Sequence, residues 1–435
     1  MAEDTNTQFS GPSRRKVIQT LGAGAVATSL AGCGGLFGGG DETELGETLR
    51  VGVLAPDAET NPVGASIRGG AKVAVSELDE AGVLDAENVE MVVGNTQGTS
   101  SGATEAYEDL VLEEDVHFTV GTFASEAFNG IMDNIVSEQK LHLTSGASSM
   151  DMNERLLDDY DANKYMFRVG PFNGELLGQA VVDFAGEYYQ DVLGWDSTYL
   201  LYEQAAWTGP TAPVVEEQLG DHGFDVVGTQ SYSPTTENFG PIYNDIPNDV
   251  DGVTTLMAHS GVNATVTWAQ GGYPWGFGGI NVPAQNAALP DSAAAAFEGV
   301  WTLNTAAPGT NITDQTESFT QNFLEQTEGF APVYTAYLAY DAIKLYAQYA
   351  EEVGTINEDD MVEAMASNQL TPATTTTQEF EFYPGDHEEY PHDIQYSMDD
   401  WVAGRAAPIF NQWQGGELVT FLPDAHQQAP YQPHQ

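Results

Sequence analysis

Two loops of the chain carry small hydroxyl residues directly before a predicted helix. They lie in "GTFASEAFNG", residues 121–130, and in "LTSGASSMDM", residues 143–152, and each follows a predicted strand. Serine and threonine hydroxyls, together with free backbone N–H groups at a helix N-terminus, form a cradle for a carboxylate. Simple helix capping uses the same residues, so the pattern alone leaves both interpretations open. Two such loops on adjacent strands favour anion binding.

A second pattern, "GTSSG" at residues 98–102, is compatible with serine hydrolase chemistry. In a nucleophile elbow the serine follows its strand in one strained turn. Here "GNTQ" separates Ser100 from the apolar end of the strand, and His259 is the nearest histidine by position that could act as its base. A hydrolase that uses Ser100 is the alternative to a binding protein that is not an enzyme.

The segment "HEEYPHD", residues 387–393, contains two histidines and so raises the question of a metal site. They are five positions apart with Pro391 between them, so they cannot share one helical face as the zinc helix motif requires. We expect an exposed acidic loop here. We predict neither a metal nor a cofactor.

The N-terminal residues have the layout of an export signal: a basic start, a short apolar segment, and small residues before a cysteine. Arg14 and Arg15 are similar to a twin-arginine signal. The apolar stretch 17–30 is shorter than the ~20 residues that span a bilayer. The final Leu-Ala-Gly-Cys resembles a lipobox, which predicts removal of residues 1–32 and a lipid on Cys33; a buried thiol is the alternative. The pattern "GAGAVA" in this leader lacks the preceding strand that a dinucleotide site needs.

Acidic residues dominate the charge of the chain, with 65 Asp and Glu against 12 Lys and Arg and a formal net charge of -53. Hydrophobic residues make up 41% and aromatic residues 10%, so the charge does not indicate disorder. Molar salt shortens the Debye length to about 3 Å and screens the self-repulsion. We interpret the surface as adapted to brine, as in halophilic archaea. Nucleic acid is excluded as a partner, because phosphate contacts need a basic face.

Strands and helices alternate from Leu49 onwards, after a glycine-rich and acidic stretch, residues 33–47, that predicts a flexible tether. The alternation predicts parallel strands joined by right-handed crossovers. A second series starts at "YMFRVGP", near residue 166, and the tail, including "IFNQWQGGELVTF", is typical of β-structure. We therefore predict an α/β fold of two lobes, with a ligand cleft at the carboxyl ends of the strands.

In their order along the chain, the predicted strands and helices and their sequence segments resemble the solute-binding proteins of ABC transporters, of the branched-chain amino acid type. The resemblance covers residues 47–385 and is carried by short matches: "LRVGVLAP", "NTQGTSSGATEAYEDLV", "VGTFASE", "LTSGAS", "FRVGPFNGELLGQAVVDF", "LLYEQAAWTG" and "AYLAYDAIKLYAQ". It implies the type I periplasmic binding protein fold, in which two Rossmann-like lobes with parallel sheets are joined by three hinge crossovers. We place those crossovers near residues 166, 305 and 375. The implied lobes are residues 48–166 with 306–375, and residues 167–305 with 376–435.

The resemblance also implies a ligand site. The family holds the α-carboxylate of an amino acid with residues that correspond to Ser125, Gly146 and Ser148. An aromatic side chain of the second lobe closes over the ligand. Trp207 in "EQAAWTG" has that position, where the family usually has tyrosine.

The residues expected near the ligand's ammonium group depart from the family pattern. A second-lobe acid normally receives this group, whereas the matching region "GGINVPAQN" offers Asn281 and Gln285. Glu126 could replace that acid. Otherwise the ligand could be an amide or another polar metabolite.

Together these features predict a lipid-anchored, monomeric protein on the extracellular face of the cytoplasmic membrane. It would capture an amino acid or a related small polar metabolite and deliver it to ABC permease subunits; a ligand sensor for a separate receptor is a further alternative. Asn263 and Asn311 begin glycosylation patterns, for which chance occurrence is an equal explanation.

Overall fold

The structure, a computed structural model, describes residues 48–84, 86–289, 291–370 and 372–434. The predictions for Arg14, Arg15 and Cys33 lie outside these residues. Within the described part of the chain, no helix is both long and apolar enough to cross a membrane.

The first lobe contains a five-stranded parallel sheet with the order β2-β1-β3-β4-β5. Its internal strand β1 is buried without interruption from Val51 to Ala55, as expected for a strand covered by helices on both faces of a sheet. The strands are β1 (Thr48–Ala55), β2 (Asn88–Asn95), β3 (Phe118–Gly121), β4 (His142–Thr144) and β5 (Met166–Arg168). The helices along this part of the chain are α1 (Pro62–Ala81), α2 (Ser100–Glu108), α3 (Ser125–Glu138), α4 (Asp151–Asp158) and α5 (Tyr160–Asn163).

The second lobe repeats this order in the run β7-β6-β8-β9-β10 and extends it with an antiparallel hairpin, β13 and β14, to seven strands. The strands are β6 (Ser197–Glu203), β7 (Asp225–Tyr232), β8 (Gly252–Met257), β9 (Gly276–Asn281), β10 (Trp301–Asn304), β13 (Ile409–Gln414) and β14 (Glu417–Leu422). The helices are α6 (Gly174–Phe184), α7 (Thr208–Gln218), α8 (Gly240–Tyr243), α9 (Gly261–Gly271) and α10 (Asp291–Phe297). The hairpin lies within the β-rich tail that the sequence predicts.

The chain passes between the two lobes three times: after β5, after β10, and before β13. Between the second and third passages, a long helix packs against α1 of the first lobe. The elements in this part are α11 (Thr316–Gln326), α12 (Tyr334–Val353), α13 (Glu358–Ala366), β11 (Ala373–Thr374) and β12 (Glu379–Phe380); α14 (Met398–Val402) follows.

Two strands differ from the sequence prediction. The segment "YMFRVGP" does not start the second series, because β5 pairs in parallel with β4 and completes the first sheet. Strand β9, "GFGGIN", is absent from the prediction because glycine is unfavourable in strands. The glycines are required here because a Cβ on Gly276 or Gly278 would collide with the indole of Trp195 or Trp301.

The strand order fixes where a ligand should lie. In this order the sequence of strands reverses between β1 and β3, and again between β6 and β8, and ligands of open parallel sheets bind beyond the carboxyl ends at such switch points. Helix α3 starts just after β3, and Glu203 ends β6. The two lobes therefore direct the N-terminus of α3 and the end of β6 towards one cleft.

Candidate functional site

A cavity with an empty volume of about 500 Å³, including its open part, lies between the lobes. Its wall is mainly apolar, and the larger apolar and aromatic side chains that line it are Phe123, Pro171, Leu177, Trp207, Ile280, Val282, Leu303 and Tyr334. A second cavity, with an empty volume of about 1110 Å³ including its open part, adjoins the first. The two cavities share the lining residues Phe123, Ala258, His259 and Val282.

The N-terminus of α3 borders the cavity with donors that are free to bind a ligand. The backbone N–H groups of Ser125 and Glu126 make no hydrogen bond to another described residue. The Ser125 Oγ accepts the N–H groups of Ser148 and Ser149, at 3.2 and 3.1 Å. Because the oxygen is occupied as an acceptor, its own hydrogen is left to donate. A helix N-terminus is also positive, so the arrangement suits an anion.

A buried ion pair supports the second loop of the site. The Arg168 guanidinium donates to the backbone carbonyls of Ala147 and Ser149, at 2.9 and 2.7 Å, and to Asp393 Oδ1 at 2.6 Å. Both charged side chains are completely buried. The other Asp393 oxygen accepts from Asn173, which caps α6, at 2.8 Å. The network therefore holds the loop of Ser148 against the start of the second lobe.

Gly146 is the point where the two loops of the first lobe come together. A Cβ at this position would lie 2.7 Å from the Thr122 carbonyl oxygen and 2.8 Å from the Phe123 Cα. These are backbone atoms that cannot move aside, so only glycine allows this approach. Gly146 lines the cavity together with Ser125 and Ser148.

Two polar side-chain atoms in the second-lobe wall of the cavity have no partner. The Trp207 Nε1 and the Gln285 Oε1 are buried without a hydrogen bond to any described residue. The Gln285 Nε2 donates to the Leu303 carbonyl at 2.6 Å, and this hydrogen bond fixes the orientation of the side-chain amide. Unpaired buried polar atoms cost free energy, and because Trp207 and Gln285 line the cavity, this donor and this acceptor are candidate ligand contacts.

The second lobe also contributes a charged pair, Glu203 and His259. The His259 Nδ1 lies 2.8 Å from Glu203 Oε1, and the backbone N–H groups of Ala258 and His259 bind the same carboxylate. Burial works to raise the pKa of the Glu203 carboxyl, but these hydrogen bonds, chiefly from His259, outweigh burial and hold the pKa below its ordinary value. The hydrogen bond from His259 to Glu203 raises the pKa of the imidazole. The sequence prediction assigned no role to Glu203.

Glu126 and Asn281 do not line the cavity. The Glu126 Oε1 accepts the backbone N–H of Ala206 at 2.9 Å, which links the two lobes beside the site. Asn281 is completely buried and caps the turn that follows it, with Nδ2 donating to Thr265 at 3.1 Å. Its amide is thus engaged within the protein.

A sequence model of the family described as "Periplasmic binding protein" matches residues 48–393. The chain belongs to this family. It is similar to the Leu/Ile/Val-binding protein homolog 7 of Brucella suis biovar 1 (strain 1330), with 22% identity over 370 residues, 82% of this chain and 86% of that protein.

Solved periplasmic binding proteins share the fold. The branched-chain amino acid transporter substrate-binding protein LivJ of Streptococcus pneumoniae, in complex with isoleucine, has a TM-score of 0.68 at 15% identity, covering 86% of this chain and 99% of that one. A solute-binding protein of R. palustris in complex with benzoate has a TM-score of 0.69 at 15% identity, covering 89% and 98%. The predicted type I periplasmic binding protein fold and the family resemblance are confirmed.

Other chemistry-bearing residues of this periplasmic binding protein lie away from the cleft. Ser100 is exposed at the start of α2, and no described histidine forms a hydrogen bond with it. Among the described residues, no group of three or more His, Cys, Asp and Glu side chains could hold a metal. The expectation of an exposed loop at 387–393 is wrong for His392 and Asp393, which are completely buried. Asn263 and Asn311 are both exposed.

Proposed function

We propose that the protein is the substrate-binding component of an ABC importer and captures a small carboxylate between its two lobes. The observation that carries the proposal is the N-terminus of α3, where Ser125 lines the cavity and its hydroxyl hydrogen and the backbone N–H groups of Ser125 and Glu126 have no acceptor among the described residues. The isoleucine and benzoate in the two solved relatives share a carboxylate and little else. Family membership supports capture followed by release rather than chemical conversion.

The finer features of the proposal come from the sequence. A lipid on Cys33 and the tether 33–47 would keep the binding body close to the extracellular face of the membrane, where the permease receives the ligand. The lobes predicted from the sequence are residues 48–166 with 306–375, and 167–305 with 376–435. We propose the same two lobes with the first boundary after Arg168, because β5 belongs to the first sheet, and hinged closure as the signal of occupancy. We propose that the protein acts as a monomer.

Calorimetric titration of the full-length protein in molar KCl tests the proposal. The panel contains small carboxylic acids, including amino acids, each paired with its amide, and urea. We expect one site per chain and at least tenfold weaker binding of the amide than of its acid, because a neutral amide loses the charge-assisted hydrogen bonds at the helix N-terminus. Equal or tighter binding of the amides or of urea would contradict carboxylate capture.

The net charge of -53 leads us to propose that the protein surface is adapted to molar salt. Raising KCl from about 0.1 M to about 1 M shortens the Debye length from about 10 Å to about 3 Å, so repulsion between surface carboxylates falls. We expect the thermal unfolding midpoint to rise steadily across this range. Choline chloride at equal ionic strength should give a similar rise if screening is the cause. A midpoint that is constant or falls with salt would refute the adaptation.

A further inference from the structure

We propose that the ligand is an apolar carboxylic acid without an ammonium group on its α-carbon, and that His259 is the residue that selects it. This inference rests on the proposed function and narrows its ligand class. The first observation is the composition of the cavity wall. No Asp or Glu is among the described residues that line the cavity between the lobes, and His259 is the residue in that lining that can carry a positive charge.

The position of His259 sets the direction of its second nitrogen. The Nδ1 atom is hydrogen-bonded to Glu203, and Nε2 has no hydrogen-bond partner among the described residues. The imidazole lines both the cavity between the lobes and the second cavity that adjoins it. The Glu203 charge is not available to a ligand, because its carboxylate is completely buried and also accepts the N–H of Ala258 and the hydroxyl of Ser260. The hydrogen bond to Glu203 raises the pKa of His259 and so favours the imidazolium, which presents Nε2 to the cavity as a donor.

The N-terminus of α3 faces this imidazolium from the first lobe. The ring of Phe123, two residues before Ser125, lies 6.2 Å from the His259 ring between centroids. The Glu126 carboxylate on the first turn of α3 also raises the pKa of His259 through its charge. Lobe closure thus brings a helix N-terminus and a cation to one place, and both favour a carboxylate.

An α-ammonium group would find no carboxylate partner among the described residues that line this cavity. Removing an ammonium ion from water is unfavourable, and a carboxylate is the partner that best compensates for it. The acceptors in the wall, the Gln285 Oε1 and the hydroxyls of Ser148, Thr305 and Tyr334, are all neutral, and a protonated His259 would repel the ammonium. Most of the wall is aromatic and aliphatic and suits a hydrocarbon body, while the Gln285 Oε1 can accept from a hydroxyl on it.

The test compares acids that differ only in the ammonium group. Calorimetric titrations in molar KCl use 4-methylpentanoate against leucine and 3-phenylpropanoate against phenylalanine. We expect each acid without an ammonium group to bind at least tenfold more tightly than its amino acid. Affinity for the acid should be highest below the raised pKa of His259 and should fall as pH rises through that pKa. Glu203 does not contribute to that fall, because its pKa is held below its ordinary value.

His259→Gln is the variant that isolates the selecting residue. We expect it to weaken binding of 4-methylpentanoate at least tenfold and to remove the pH dependence. His222→Gln, an exposed histidine of the same lobe that lies outside both cavities, should change neither. The wild-type pH profile provides the same information should His259→Gln fold poorly.

The outcomes separate this inference from the function on which it rests. If leucine or phenylalanine binds as tightly as its partner acid, or if His259→Gln binds the acid like the wild type, the inference is overturned while carboxylate capture stands. If amides and urea bind as tightly as the acids, carboxylate capture itself fails. Preference for the acids together with the loss in His259→Gln supports both.

Discussion

Ser125→Ala should weaken binding of the captured acid by about 10- to 100-fold, which corresponds to the ~1.5–3 kcal/mol of a hydrogen bond to a charged group. The hydroxyl is the side-chain donor that the structure directs at the carboxylate, since its oxygen is already occupied by the N–H groups of Ser148 and Ser149. The same substitution leaves those two N–H groups unpaired and should lower the free energy of unfolding by about 1–3 kcal/mol. Titration calorimetry and urea unfolding measure the two effects separately.

Two matched variants show whether the loss belongs to the site. Ser125→Thr retains the hydroxyl and should keep affinity within a few-fold of the wild type. Ser100→Ala makes the same chemical change at the exposed start of α2 and should leave affinity unchanged. Wild-type affinity in Ser125→Ala, or a comparable loss in Ser100→Ala, would contradict the site.

Asp393→Ala should lower the free energy of unfolding by about 3–5 kcal/mol, because it leaves the Arg168 guanidinium buried without its counter-charge. Binding should weaken as well, since the same guanidinium holds the carbonyls of Ala147 and Ser149 in the loop of the site. Urea unfolding at constant molar KCl and calorimetry of the folded variant provide the two measurements.

Asp386→Ala is the control for this prediction. It removes an exposed carboxylate from the same segment, and we expect the free energy of unfolding to change by no more than about 0.5 kcal/mol. Equal stabilities of the Asp386 and Asp393 variants would show that the buried pair contributes nothing to the fold or to the loop.

The sequence predicted those parts of the fold that depend on local pattern. Unbroken apolar runs and amphipathic helices predicted the alternating order, and the composition of the tail predicted the β-structure in which β13 and β14 lie. Strand β9 was missed because its glycines leave room for the indoles of two tryptophans that lie elsewhere in the sequence. Strand β5 was assigned to the wrong series because pairing with β4 is a tertiary contact.

The first-lobe loops of the candidate site, and Trp207 and Gln285 of the second lobe, were predictable, whereas the pair of Glu203 and His259 was not. Ser125, Gly146 and Ser148 lie in loops where small hydroxyl residues come directly before a predicted helix, and this pattern is visible in the sequence. Glu203 and His259 are separated by 56 positions, and only the neighbouring carboxyl ends of β6 and β8 bring them together. An acid at the end of the apolar strand "TYLLYE" was the available signal.

Asn281 has a structural role that its local sequence indicates. An asparagine just before a turn that has proline in its first positions is typical of a cap, and the structure uses it in that way. The resemblance to the family placed it in the ligand site, where its amide has no access to the cavity. A local interpretation of "NVPAQ" predicts the observed role.

The most direct test of carboxylate capture is a crystal structure of the protein grown in molar KCl with the tightest-binding acid of the panel. The account predicts closed lobes and ligand carboxylate oxygens about 3 Å from the Ser125 Oγ and from the free N–H groups at the start of α3. An acid bound outside the interlobe cavity, or one whose carboxylate points away from α3, would contradict it.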